Sequence, residues 1–456
     1  MENPEQLITK ISRLRGDALS AFEAGVAAAE PQAAVRRTLR TSNAGRPVIA
    51  GEEVAAGTRL LVVSFGKAAC TMAKAVASVV PEEVFPGPGI AVVNAENRRE
   101  VSRFRVRSSG HPVPDRAGVQ AAEEVTRYVD SATEKDAVLV LVSGGGSALL
   151  PAPSEGVTLE DKMETTLQLL ACGATIHEMN AVRKHLSTLK GGGLARRAAP
   201  ARIEAHLLSD VIGDDLSTIA SGPTVADPTT FADARGILEK YGILETVPTA
   251  IAERLERGDH GEVPETPKPG DPIFDRVNNV LVGSNRQSLD AAAERAKALG
   301  YEVVIASREL CGDARDAAAA LSRHVRQRAT TARPVAILAG GETTVTVKGS
   351  GRGGRNQEMA LHFALACKDM QVKFPWVFLS GGTDGRDGPT DAAGGLVDPC
   401  TLSRGATAGH NVETELENNN SYRFLEASGD LLKTGATGTN VADLQVLLVA
   451  RALPLL

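Results

Sequence analysis

Ser143-Gly144-Gly145-Gly146-Ser147 follows six apolar residues (137–142), and this junction holds the first chemistry the chain offers. Three consecutive glycines let the backbone take positive φ and bring a ligand within hydrogen-bonding reach of bare N–H groups. Apolar runs end in small residues again at Gly66-Lys67, Ser284-Asn285, Gly340-Gly341-Glu342 and Gly381-Gly382-Thr383-Asp384. In open parallel sheets such strand ends gather on the edge where ligands bind. One tight βα turn needs glycine for purely local reasons, but five polar or charged junctions together predict a crevice for an anionic, phosphorylated ligand.

Charges are placed to match. Lysine is seldom buried unpaired, so Lys67, directly behind Gly66, should meet an anion, a structural carboxylate being the plainer partner. Asn180, Lys184 and Ser187 lie at i, i+4 and i+7, one helical face, with Arg183 and Lys190 on the neighbouring stripe. Such a basic face serves either solvent or a ligand. Asp210 and Asp384 each stand just behind an apolar run, inside glycine-rich acidic stretches that suit Mg²⁺, which takes one or two carboxylates and fills its shell with water and phosphate oxygens. Asp214, Asp215 and Asp387 read equally well as solvated turns held by Asx hydrogen bonds. His111 and His185 lack metal-ligand spacing and read as ordinary polar residues or orienters.

Familiar nucleotide motifs are mostly missing. Gly66-Lys67 lacks the earlier glycine and the following Ser or Thr of a P-loop. Ser147 has Leu149 where a nucleophile elbow needs glycine. G-x-G-x-x-G does occur as Gly349, Gly351 and Gly354, but the next strand tip, Ser380-Gly381-Gly382, offers no acid for a ribose. Arg352 and Arg355 in that loop point instead to phosphate or carboxylate. Dinucleotide binding is the second reading.

The elements that must position these residues alternate. Residues 4–40 carry a 3.6-residue apolar period and predict helix. Strands are expected at 60–64, 90–93, 137–142, 205–209, 280–284, 302–306, 335–339, 343–348 and 376–379, with helices between and a helical end after Asn440. This order predicts an α/β protein of two domains: an N-terminal Rossmann-like, doubly wound parallel sheet over 1–257, a Gly/Pro-rich linker or surface excursion over 258–272, and a smaller C-terminal α/β domain over 273–456, with the active-site cleft between them.

The 456 residues are 43% apolar, 23% charged and only 3% aromatic, so the cores must be built from Ala, Val and Leu. A formal net charge of −6 argues against a nucleic-acid or membrane partner. The five cysteines are an odd number without C-x-x-C, which fits neither a disulfide scaffold nor a zinc site. No signal-peptide h-region or membrane-length apolar run is visible, so a cytoplasmic protein is expected.

Taken in order, SFGKAA (64–69), SSGHPVPD (108–115), LVSGGGSALLPAP (141–153), MNAVRKHLSTLKGGGLA (179–195), LSDVIGDDLSTIASGPTVAD (208–227), GSNRQSL (283–289), LAGGETTVTVKGSGRGGRNQEMAL (338–361), LSGGTDGRDGPTDAAGG (379–395) and TGATGTNVADL (434–444) resemble the glycerate 2-kinase family, the class II glycerate kinases with a MOFRL C-terminal domain. The resemblance spans nearly the whole chain. It implies ATP-dependent phosphorylation of D-glycerate, usually at the 2-hydroxyl, with a divalent metal such as Mg²⁺. Family members also bear the name hydroxypyruvate reductase, which leaves an NAD(P)-dependent reductase as the alternative. By this resemblance Lys67 and Arg355 are active-site residues, cast as contacts to the transferring phosphoryl group and the glycerate carboxylate. Asp210 and Asp384 are metal candidates, and either could accept the hydroxyl proton. Contacts to glycerate or ATP are expected from Gly66, Ser143, Gly144, Gly145, Gly146, Ser147, Asn180, Lys184, Lys190, Asn285, Gly341, Glu342, Asn356 and Thr383. The expected partners are thus small molecules, and a homodimer is compatible with the reading.

Overall fold

The computed structural model describes residues 4–85, 87–327, 333–372 and 374–450. It divides into two compact units, one of Pro31–Val282 and one of Met1–Glu30 with Gly283–Leu456.

In the first unit a small antiparallel sheet, β1 (Leu39–Thr41), β2 (Pro47–Ile49) and β3 (Glu52–Glu53), precedes the main one. The main sheet contains β4 (Leu60–Phe65), β5 (Gly89–Asn94), β6 (Phe104–Ser109), β7 (Ala137–Val142), β8 (Arg202–Leu208) and β9 (Val277–Gly283), in the order β6-β5-β4-β7-β8-β9. Every pairing from β6 to β8 is parallel. From β4 the chain runs outward one way through β5 and β6, then returns to β7 and runs the other way. The order therefore reverses between β4 and β7, where open sheets hold their ligands at the carboxyl ends. All six residues of β4 and all six of β7 are buried, as a strand covered on both faces requires. Helices Leu159–Ala171, Ile176–His185, Phe231–Lys240 and Thr249–Asp259 pack together around a separate apolar cluster including Leu169, Val182, Phe231 and Leu255.

In the second unit the strands β10 (Glu302–Leu310), β11 (Val335–Gly341), β12 (Trp376–Gly382), β13 (Gly394–Val397), β14 (Leu431–Leu432) and β15 (Asp443–Val449) lie in the order β10-β11-β15-β12-β13-β14. β10 and β11 are parallel, and β15 runs antiparallel between β11 and β12. Helices Ala314–Gln327 and Arg355–Asp369 cover one face. Helix Pro4–Ala28 and helix Asn285–Ala298 cover the other.

Three expectations change and one open alternative is decided. The Pro4–Ala28 helix belongs with the C-terminal unit, not with residues 31–257: Ile11, Leu14, Ala18 and Phe22 pack with Leu338, Leu379 and Val446, and Arg15 donates to Asp398 (2.6 Å) and Asp430 (2.9 Å). Each large apolar side chain so buried contributes about 1.5–3 kcal/mol, which outweighs sequence proximity. Residues 258–272 do not separate the units. They are a surface excursion bound to the first one, where Glu265 accepts from the N–H of Phe231 (2.8 Å) and Thr266 donates to Asp227 (3.0 Å); the division falls after Val282. Residues after Asp443 form the central strand β15 rather than helix, because a run of seven apolar-rich residues fits either and the open slot between β11 and β12 decides. Thr343–Lys348 forms no strand: it has only a bridge from Thr344 to Asp313, and the side chain of Asn419 takes the N–H of Lys348 (2.7 Å).

Candidate active site

The ends of β4 and β7 build one surface together. After β4, Gly66 has φ +122°, a conformation that glycine adopts freely. Any side chain at Gly66 would run into Ser143. The Lys67 N–H donates to the Gly144 carbonyl (2.8 Å), the Ala68 N–H to the Ser143 hydroxyl (3.0 Å), and the Ser143 N–H to the Phe65 carbonyl (3.0 Å). Ser143 thereby ties the two strand ends together at the entry to the helix Ala69–Val79, and at 1% exposure its hydroxyl is structural. With the backbone so pinned, the Lys67 side chain lies along Gly145. Its amine has no hydrogen bond or ion pair among the described residues.

The next three glycines stay bare. The N–H groups of Gly144, Gly145 and Gly146 have no acceptor among the described residues. Each glycine has a close neighbour that leaves no room for a Cβ: the Asp210 carboxylate at Gly144, the His111 ring (2.9 Å) at Gly145 and Ala220 (2.8 Å) at Gly146. Burial pushes the Asp210 carboxyl up, and the Lys67 charge pulls it back. His111 is pushed down, first by burial and then by Lys67. Sequence spacing passed over His111, because only the fold brings it to Gly145.

A short polar chain extends from here. Lys190 donates to the carbonyls of Ser147 (3.0 Å) and Leu150 (2.8 Å). The Ser221 hydroxyl donates to Asn180 Oδ1 (3.1 Å), so its contact with Ser147 (2.9 Å) is accepted from the Ser147 hydroxyl. Ser221 reaches that position in a left-handed turn, with φ of +51° at Ala220 and +60° at Ser221. Strain of this kind costs of order 1–3 kcal/mol per residue and collects at functional sites. No sequence signal marks it. Lys184, expected to face a ligand, is buried instead, paired with Asp227 at 3.3 Å. Asp227 also accepts from Thr229 and Thr266, so Lys184 holds the surface excursion in place.

The C-terminal candidates have different surroundings. Arg355 opens the helix Arg355–Asp369, and its fork is already taken: Nε and a terminal nitrogen bind Asp443 at 2.6 and 2.9 Å, while Glu342 lies 2.8 Å from the other nitrogen. These acids raise its pKa against the effect of burial. The expectation of a free fork for a substrate carboxylate is thereby corrected. Asp387 is not a solvated turn: it is buried and accepts the N–H groups of Asn356 (3.1 Å) and Gln357 (2.8 Å) at that helix start. Burial pushes its carboxyl up to about 6.

Asn285 donates to the carbonyls of Val441 and Asp443 (both 2.8 Å), Asn356 accepts from Ser380 (2.7 Å), and Thr383 donates to Ala442 (2.7 Å). All three are buried framework groups. Gly340 and Gly341 lie within the β11–β15 ladder, where a Cβ would meet Asn285 or the Leu310 backbone, so they serve close packing and not a phosphate loop. In the 349–354 glycine run, Asn418, Asn419 and Asn420 occupy the N–H groups of Ser350, Gly349 and Arg352 (each 3.0 Å). Those donors are unavailable to a pyrophosphate. Asp210 and Asp384 belong to different units, and among the described residues no three His, Cys, Asp or Glu side chains gather around a metal position. No helix among the described residues is long and apolar enough to cross a membrane.

Residues 17–256 match a family model described as a domain of unknown function (DUF4147), and residues 335–443 match the MOFRL family. A glycerate 2-kinase of Pyrococcus horikoshii is 42% identical over 96% of both chains. A D-glycerate 2-kinase of Thermotoga maritima is 42% identical over 86% of this chain and 91% of its own. A relative from Agrobacterium vitis, 41% identical over 94% of this chain and 93% of its own, provisionally bears a hydroxypyruvate reductase name. Among solved structures, a Thermotoga maritima glycerate kinase superposes with a TM-score of 0.85 at 37% identity, over 96% of this chain and all of its own. A Pyrococcus horikoshii protein gives the same score at 41% identity, over 96% and 98%. With the family models and full-length relatives in agreement, this chain belongs to the glycerate kinase family that carries the MOFRL region.

Proposed function

We propose that the chain transfers the γ-phosphoryl group of ATP to D-glycerate, at the 2-hydroxyl, giving 2-phosphoglycerate and ADP. One observation carries the reading: an unpartnered lysine amine beside three bare backbone N–H groups, at the point where the parallel strand order reverses. Phosphoryl transfer needs positioning and charge neutralisation more than covalent chemistry. Successive free N–H groups make an anion-binding concavity, and a lysine amine supplies the point charge a phosphoryl group takes.

In this reading Lys67 binds the transferring phosphoryl group, and Gly144, Gly145 and Gly146 hold its oxygens. Asp210, which has no partner side chain bonded to it, takes the hydroxyl proton or serves as a protein ligand for Mg²⁺ carried by ATP. One or two carboxylates suffice for that cation, so the lack of a three-residue cluster among the described residues fits such a site. Bound Mg²⁺ would neutralise charge on the phosphates. Ser143, Ser147 and Lys190 shape the glycine turn. Arg355, expected from the family resemblance to be an active-site residue, is held as a rigid charge by Asp443 and Glu342. Asn285, Asn356, Thr383 and Gly341 support that arginine's surroundings.

The test is a pair of assays on purified protein: ADP release with ATP and glycerate, and absorbance with hydroxypyruvate and NADH. ADP release that depends on glycerate is expected, and phosphorus NMR of the product should show the 2-phosphate. NADH oxidation without ADP release would overturn the reading in favour of the reductase.

A further inference from the structure

Helix Ile176–His185 passes beside the Ser147 turn, and two of its side chains end without partners. Asn180, 4% exposed, spends its oxygen on Ser221, yet its Nδ2 donates to nothing among the described residues. Arg183, three residues further along on the neighbouring stripe of the helix, is half-buried, and its guanidinium has no hydrogen bond or ion pair among the described residues. The charged groups that the Arg183 guanidinium acts on are of the same sign. Lys190 and Lys162 are both buried, and their amines bond only to backbone carbonyls, Lys162 to that of Leu186 at 2.7 Å. Arg254 gives its Nε to the His185 carbonyl (2.9 Å). Lys190 and Lys162 each feel the Arg183 charge, and it lowers both their pKa values beyond the larger effect of burial. A guanidinium set among cations, with an unused amide donor one turn away, lacks an anion.

We propose that Asn180 and Arg183 seat the carboxylate of the hydroxy-acid substrate. The chemistry separates this seat from the phosphate one. A planar fork matches two coplanar carboxylate oxygens, whereas the lysine amine and bare N–H groups at Lys67 and Gly144–Gly146 suit the three oxygens of a phosphoryl group. The link through Ser221 and Ser147 joins the two seats, so an acid held at Arg183 is positioned relative to the glycine turn. The assignment rests on the kinase reading and gives to Arg183 the role that the occupied fork of Arg355 leaves open.

The experiment is steady-state ADP release by the full chain and its Arg183→Gln and Arg183→Lys variants, with glycerate or with glycerol, which lacks the carboxylate, as acceptor. Loss of one charge-assisted fork predicts a rise in the glycerate KM of about 10–100-fold for Arg183→Gln, and a smaller one for Arg183→Lys. The ATP KM should stay within about threefold, and the preference for glycerate over glycerol should fall in the same proportion. An unchanged glycerate KM in both variants overturns the proposal, and so does a rise confined to the ATP KM, which would make this a nucleotide-phosphate contact. If Arg183→Gln fails to fold, Arg183→Lys and the glycerol comparison decide. A wild-type chain inactive with glycerate would instead reject the kinase reading itself.

Discussion

Replacing Lys67 by Met removes one charge and little else. The amine bonds to nothing among the described residues, so no native contact is lost, and Met fills the space of the lysine stem against Gly145. At an effective dielectric of about 20, an ammonium about 4 Å from a unit of phosphoryl charge contributes about 4 kcal/mol. At about 1.4 kcal/mol per tenfold, kcat/KM for glycerate with saturating ATP should fall roughly a thousandfold. Thermal melting should stay within about 1 °C, since removing an unpaired, partly buried charge offsets any lost packing. An internal check is available in the same variant. The Lys67 charge lowers the His111 pKa, so His111 titrated by NMR should move up, towards ordinary imidazole, when Lys67 is replaced. Turnover within threefold of wild type would refute the role given to this lysine. A large loss of Tm with an unmoved His111 would show that the amine is structural after all.

Three further outcomes follow from the same geometry. Gly144→Ala places a Cβ 2.6 Å from Asp210 Cγ, although Gly144 itself has an ordinary φ. The displaced carboxylate should cost about a hundredfold in kcat/KM with little change in melting, and wild-type rates would remove Asp210 from the reaction. Arg355→Lys exchanges the fork on Asp443 for a single contact, so it should cost about 2 kcal/mol of stability. Unchanged denaturant midpoints with a raised glycerate KM would restore the free-fork role. For Asp387 the folded pKa is raised to about 6 from 3.8, so the carboxyl's contribution is complete below pH 3.8 and is lost as pH rises through about 6. Asp387→Asn does not titrate, so its Tm relative to wild type should climb between pH 4 and pH 7; a flat or falling difference would contradict the burial argument.

Much of the architecture was legible in the residues themselves. A Val-rich run such as 137–142, buried on both faces, can only be a strand covered from two sides, and the alternation of such runs with 3.6-period segments specifies an α/β chain. The candidate site was legible as well, because Gly66-Lys67 and Ser143–Ser147 are adjacent within their own strand ends and local geometry alone demands their glycines. What the sequence could not decide is pairing over long range. Arg355 and Asp443 are 88 positions apart and Lys184 and Asp227 are 43 apart, so residues that read as ligand contacts were found bound to carboxylates that no local pattern marks. The same limit hid the destination of the first helix and the strand character of 443–449, since an apolar face or run states that it must be buried but not against what. Only the folded chain determines which polar groups find partners, and which, like Lys67 and Arg183, find none among the described residues.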